Sequence, residues 1–269
     1  MDITHAIILA IIEGVTEFLP VSSTGHMIIA SQFMHMPQTE FLKTFEIAIQ
    51  LGAIGAVFAV YWRTFLLDWE VGLKVLAAFV PTAIIGFVLY KLIKQFLLGN
   101  GMVVAIALLA GGIFLVVFEL LYKGKQDRMV GTISKSPEKG KLSPLISYRQ
   151  AFIIGLCQSL AVIPGVSRSA ATIVGGLALG VARTTIVEFS FLLAVPTMLA
   201  ATVLDILKSS ADISARDAGV LAVGFLTALS VAFISVNFLL RYVQRNNFIP
   251  FGIYRIFVGL FCLWWFSHL

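Results

Sequence analysis

Glu13 and Glu17 stand four residues apart, and a hydroxyl-rich run, Ser22-Ser-Thr-Gly-His26, follows directly behind Pro20. A spacing of four puts both carboxylates on one face of a helix. Acids that close repel unless a cation lies between them or one of them holds a proton. A divalent ion, Mg²⁺ or Ca²⁺, or a shared proton is therefore the expected resident of the pair. The hydroxyls of Ser22, Ser23 and Thr24 sit where a helix starts, beside its unpaired backbone N–H groups, and that geometry binds phosphate oxygens. A second cluster, Pro164-Gly-Val-Ser-Arg-Ser-Ala-Ala-Thr172, sets Arg168 among Ser167, Ser169 and Thr172. A guanidinium in such a place calls for an oxyanion, which it grips with two parallel N–H bonds. Acids, hydroxyls, His26 and Arg168 converging on one point are the equipment of phosphoryl transfer. Plainer roles exist for each. The acids could be solvated at an interface, Ser22 an ordinary helix cap, His26 a hydrogen-bonded core residue, and Arg168 a structural partner for Glu13 or Glu17.

The elements that must position these groups lie in a bilayer. The chain has 269 residues, 59% hydrophobic and 12% charged, against about a quarter charged in soluble domains. Too little polar material exists to coat a soluble fold, which excludes a cytosolic enzyme, a nucleic-acid binder and a disordered chain together. Cys157 and Cys262 both fall in apolar runs, so a disulfide scaffold is not expected.

Six apolar stretches are long enough to span: Ile47 to Trp62, Val75 to Ile93, Met102 to Tyr122, Phe189 to Leu207, Ala218 to Leu240 and Phe251 to Phe266. Two others, Ile3 to Met34 and Tyr148 to Val181, are broken midway by a proline and small hydroxyl residues. Each predicts two short helices joined by a polar turn, that is, a re-entrant hairpin. Irregular backbone at membrane depth survives only where it is buried in protein or lines a wet cavity, so the two turns mark the site. The regions echo one another. Pro20 to Phe45 and Pro164 to Phe189 are both separations of 25 residues, giving a repeat period of 144. Residues 1–122 would form the first repeat, with its hairpin at 3–34, and residues 148–269 the second, with its hairpin at 148–181. A cytoplasmic loop at 123–147 would join them. Three spans per half is odd, so the second half enters the membrane inverted. The expected fold is an all-α polytopic membrane protein, a single membrane domain of six transmembrane helices plus two re-entrant hairpins in an inverted-topology repeat.

Loop charge orients it. Threading the spans places twelve Lys and Arg on one side, among them Arg63, Lys74, Lys123, Arg149, Arg183 and Arg241, and five on the other. The basic side is cytoplasmic and both termini face outward. Arg168 and Arg255 alone fall inside membrane segments. Arg255 reads as a side chain snorkelling to the interface or a partner for Glu188 or Asp205. Glu46 and Gln50, again four apart, read as supports for the site or as packing residues.

Together, Glu13-x-x-x-Glu17, the Ser22 to His26 run and the Pro164 to Thr172 stretch resemble the two signatures of the bacterial undecaprenyl-diphosphate phosphatases of the bacitracin-resistance type. The resemblance extends over nearly the whole chain, including Phe45-Glu46, Phe189 and the Phe248-Ile-Pro-Phe251 start of the last span. It implies an integral membrane hydrolase that removes the terminal phosphate of undecaprenyl diphosphate. The monophosphate carrier would be reused in peptidoglycan synthesis, conferring bacitracin resistance. Interlocked inverted repeats and dependence on a divalent cation are also implied. In that setting Arg168, Ser22, Thr24, Ser167, Ser169 and Thr172 would bind phosphate, and Glu13 and Glu17 would hold Mg²⁺ or Ca²⁺. Ser23 is the first candidate nucleophile, with Glu17 or His26 as its base; attack by His26 or by a metal-bound water are the alternatives. The expected partners are the lipid diphosphate and membrane lipid, with no nucleic acid and a homodimer as the candidate assembly. The expected location is the bacterial inner (cytoplasmic) membrane, with the site open to the outer face. The rival function is a secondary transporter or flippase of a lipid phosphate on the same inverted-repeat fold.

Overall fold

A computed structural model describes residues 1–37, 39–92, 100–129, 146–208 and 215–268. Among these residues every regular element is helical. The helices are α1 (Ile3–Thr16), α2 (Ser23–Phe33), α3 (Glu40–Leu67), α4 (Trp69–Leu92), α5 (Gly101–Met129), α6 (Tyr148–Gln158), α7 (Arg168–Ala178), α8 (Arg183–Lys208), α9 (Ala215–Tyr242) and α10 (Ile249–Ser267). A single 3-10 turn, Ser159–Val162, lies between α6 and α7.

Among the described residues six helices, α3, α4, α5, α8, α9 and α10, are long and apolar enough to cross a membrane, one for each expected span. All six begin before the apolar stretches, and all but α4 also end beyond them, because polar ends continue a helix once it is started. Thr39 caps α3 by accepting from the Leu42 N–H at 3.1 Å, so the helix opens at Glu40 rather than Ile47. Likewise α5 runs on to Met129, so the first residues of the expected 123–147 loop are helical. Residues 130–145 of that loop lie outside the described residues.

The two broken regions each make a pair of short helices. At 14 and 11 residues, α1 and α2 extend only about 21 and 16 Å, short of a bilayer core of about 30 Å. α6 and α7 are 11 residues each. Local chemistry sets their ends. Asp2 caps α1 by accepting from the His5 N–H at 2.8 Å, and Ser147 caps α6 in a reciprocal capping box with Gln150. α2 and α7 both start after a serine with left-handed backbone, Ser22 at φ 74° and Ser167 at φ 70°. Each accepts an N–H three residues on, Gly25 at 3.4 Å and Ala170 at 3.2 Å.

The halves interlock. α1 packs on α9, and α6 packs on α4; α3 lies against α8 and α9, and α10 lies along α5. Close approach depends on glycine at both broken helices. A Cβ on Gly14 would sit 2.8 Å from the Val231 Cβ, and one on Gly155 would run into the Ala78 carbonyl. Neither contact admits even alanine without a backbone shift. Both turns are thereby pressed into the centre of the bundle, where α5 touches α2 and α7 alike.

Candidate active site

The two turns meet at one pocket of about 250 Å³. Its polar wall is made by Glu17, Ser22, Ser23 and Thr24 from the first turn and Ser167 and Arg168 from the second, with Gln50 of α3 and Thr197 of α8. Its apolar wall is made by Ala161, Val162, Ile163, Met198 and Ala201. Gln50 lies ten residues inside α3, about 15 Å along the axis from the first residue, so the pocket sits well below the helix end.

Glu17 is the centre of the arrangement. It closes the last turn of α1, its N–H donating to the Glu13 carbonyl at 2.9 Å, so the expected shared face is present. Its Oε2 accepts the Ser23 hydroxyl, and its Oε1 accepts from Arg168 Nη2 at 3.0 Å. The structural pairing weighed for Arg168 therefore exists, and it leaves capacity over. Nη1 donates to the Ser190 carbonyl at 2.9 Å, while the buried Nε has no hydrogen-bond partner. A buried guanidinium N–H without an acceptor is costly, so Arg168 carries donor capacity that its protein partners leave unused.

The remaining expected residues divide. Ser22, Thr24 and Ser167 line the pocket. Ser169 and Thr172 are fully buried and do not line it. Ser169 donates to the Leu19 carbonyl at 2.8 Å, tying the second turn to the first, and so accepts from Ser167 at 3.1 Å. Thr172 is bonded to the Ser190 hydroxyl at 2.6 Å, steadying the strand of contacts behind Arg168. His26 also stays off the lining. Its Nδ1 meets the Ser22 carbonyl at 2.7 Å and its Nε2 meets the Tyr254 hydroxyl at 2.9 Å.

Glu13 is buried and does not line the pocket; it is faced by Glu17, Glu46 and Arg168. Its Oε1 is buried without a hydrogen-bond partner. That orphan oxygen, with Glu17 alongside, fits a hard dication that takes one or two carboxylates from protein and completes its shell with water and phosphate oxygens, as Mg²⁺ does. A cage made wholly by protein does not fit: among the described residues no group of three or more His, Cys, Asp or Glu is arranged to hold a metal ion.

Arg255 corrects the reading from sequence. It is neither at the interface nor set against an acid: it is fully buried, and its guanidinium donates to four backbone carbonyls. Pro20 at 3.4 Å belongs to the first turn, Gly165 at 2.9 Å and Val166 at 3.2 Å to the second, and Ala107 at 3.2 Å to α5. One side chain thus fastens both turns. A charge inside an apolar span was the available signal, but carbonyl partners leave no trace in residue types. Ser190 was within reach of the repeat argument, since it follows Phe189 as Glu46 follows Phe45. Nothing in the sequence pointed to Tyr254.

A family model described as bacitracin resistance protein BacA matches residues 6–261. An undecaprenyl-diphosphatase of Aquifex aeolicus is 44% identical over 256 residues, 95% of each chain. One of Wolinella succinogenes is 47% identical over 265 residues, 98% of each chain. Another, from a Sulfurihydrogenibium species, is 47% identical over 266 residues, covering 98% of this chain and 100% of the relative.

Proposed function

The chain belongs to the bacitracin resistance protein BacA family, and we propose that it hydrolyses undecaprenyl diphosphate to undecaprenyl phosphate and inorganic phosphate. The observation that carries this reading is the Ser23 hydroxyl bonded to Glu17, itself paired with Arg168, in one pocket with a polar and an apolar wall. The polar wall suits a diphosphate and the apolar wall the first units of a prenyl chain, whose remainder stays in lipid. Such a pocket, formed by two broken helices meeting among spans, supports re-entrant hairpins of opposite sense.

Glu17 takes the proton from Ser23 Oγ as that oxygen attacks the terminal phosphorus, and the P–O bond to the bridging oxygen breaks. Glu17 passes that proton to the leaving undecaprenyl phosphate, and the phosphoryl group rests on Ser23. The regenerated Glu17 carboxylate then takes a proton from water as its oxygen attacks the phosphoserine, and returns it to Ser23 Oγ as the Oγ–P bond breaks and phosphate is released. Arg168 shifts its fork toward the phosphoryl oxygens as charge gathers there, with Thr24 and the N–H groups at the starts of α2 and α7 as further donors, and Ser167 lines the wall beside them. His26, with both ring nitrogens engaged, orients the first turn. Glu13 and Glu17 would hold a divalent cation, which would neutralise phosphate charge. Every group in the scheme comes from one chain, so a homodimer is not needed to complete it.

The loop-charge bias supports an outward-facing pocket in a cytoplasmic membrane. The transporter alternative has no support among the relatives, which are named as diphosphatases. Purified protein in detergent should release phosphate from the C55 diphosphate, and chelator should suppress the release. Absence of release under both conditions would refute the reading.

A further inference from the structure

We propose that Tyr254 is a positioning residue for the phosphatase reaction: acting through His26, it fixes the left-handed Ser22 turn that aims the Ser23 hydroxyl at Glu17. The inference rests on the function proposed above and adds a residue to it.

A backbone carbonyl only accepts, so the His26 Nδ1 that lies 2.7 Å from the Ser22 oxygen carries a hydrogen. In the neutral ring Nε2 then holds the lone pair, and the Tyr254 hydroxyl at 2.9 Å must donate to it. The two rings lie nearly parallel, 7° between planes and 5.5 Å between centroids, so the phenol and the imidazole are stacked as well as hydrogen-bonded. With both nitrogens occupied, the imidazole in this placement has no lone pair to offer Ser23; Glu17 already accepts that hydroxyl.

The Ser22 backbone has reason to need such a brace. Its φ of 74° is a left-handed conformation that a residue with a Cβ rarely adopts. Three bonds hold it: the Gly25 N–H to its hydroxyl at 3.4 Å, the His26 N–H to its carbonyl at 3.2 Å, and His26 Nδ1 to the same carbonyl at 2.7 Å. The first two are long, and the third, the shortest, depends on how the ring is held. The second turn is built otherwise: no imidazole reaches Ser167, and its hydroxyl is held by the Ala170 N–H and by Ser169.

Tyr254 is able to act as a fixed support. Its neighbour Arg255 is anchored by four carbonyls, and α10 is packed along the length of α5, which also touches α2. Tyr254 itself is 45% exposed, so removing its hydroxyl opens no core cavity.

The test uses the full-length protein in detergent, comparing Tyr254→Phe with the parent, and with His26→Gln to identify the His26 signals in ¹⁵N-histidine spectra. In Tyr254→Phe, turnover should fall about tenfold, the scale of a misaimed reacting group, with KM and the thermal midpoint unchanged. The His26 ring should change from a single Nδ1–H tautomer to a mixture. Parent-like turnover with a parent-like tautomer overturns the proposal, as does a turnover loss matched by loss of folded protein with the tautomer unmoved. If the parent releases no phosphate, the phosphatase reading fails, while the ring-nitrogen shifts still decide whether Tyr254 sets His26.

Discussion

At the turn between α1 and α2, the residue after the left-handed serine is Ser23; at the turn before α7, the residue in the same place is Arg168. Both are first residues of 11-residue helices, both helices are capped by a serine hydroxyl, and both residues face the same pocket. The first turn adds a carboxylate, Glu17, and the second adds further hydroxyls. One backbone design, used twice, thus sets a hydroxyl bonded to a carboxylate on one side of the pocket and a guanidinium on the other. Attack on phosphorus needs both at once, since a phosphoryl group must be held by positive charge while an oxygen approaches it. The turns also differ in what steadies them. The Ser167 hydroxyl is bonded within its own motif, whereas the Ser22 carbonyl is held by His26 and, through that ring, by Tyr254 of α10.

Replacing Ser23 by Ala removes the chemistry of the first turn while leaving its backbone in place. Phosphate release should fall by at least roughly a thousandfold, with the thermal midpoint held. Release within tenfold of the parent would mean that Ser23 is not the nucleophile. Arg168→Lys probes the opposite side. An ammonium keeps the charge but cannot span Glu17, the Ser190 carbonyl and a phosphate oxygen together, so kcat/KM should drop by about a hundredfold. Parent-like kinetics would break the assignment of the second turn as the anion clamp.

Arg255→Met attacks what the turns share. It leaves buried carbonyls on both turns and on α5 without a donor, a loss of about 3 kcal/mol or more. Thermal unfolding in detergent should show a midpoint several degrees lower, and an unchanged midpoint would refute the clamp. The smallest effect is expected at Ser167. Glycine there relieves a left-handed strain of about 1–2 kcal/mol and loses a cap worth only a few tenths, so the midpoint should hold or rise slightly. Alanine keeps the strain and loses the cap, and should cost about 1 kcal/mol. Equal midpoints for the two variants would show that the turn is not strained.

Much of this was legible beforehand because the bilayer narrows the choices. Six apolar stretches of spanning length can only be helices, and two shorter helix pairs broken at Pro20 and Pro164 can survive only at a built site. The Glu13–Glu17 face and the nearness of Glu17 to Arg168 followed from spacing and from the cost of unpaired charge. The repeat period was read one residue short at the site: from the prolines it is 144, but the matching serines, 22 and 167, are 145 apart, Gly165 being the extra residue at φ 95°. Proline marks where a helix breaks, whereas the cap decides where the next one starts.

Composition and spacing by themselves determined the membrane fold, the six spans, the two breaks and the groups able to transfer phosphate, because each of these follows from local chemistry or from the solvent. Only the packed tertiary structure decided which hydroxyls reach the pocket and which are spent on structure, as Ser169 and Thr172 are. It alone decided that Arg255 ties four carbonyls and that His26 faces Tyr254. Those contacts join backbone oxygens and side chains as many as 235 residues apart, and backbone oxygens are the same in every residue, so no pattern of residue types encodes where a guanidinium or an imidazole will find them.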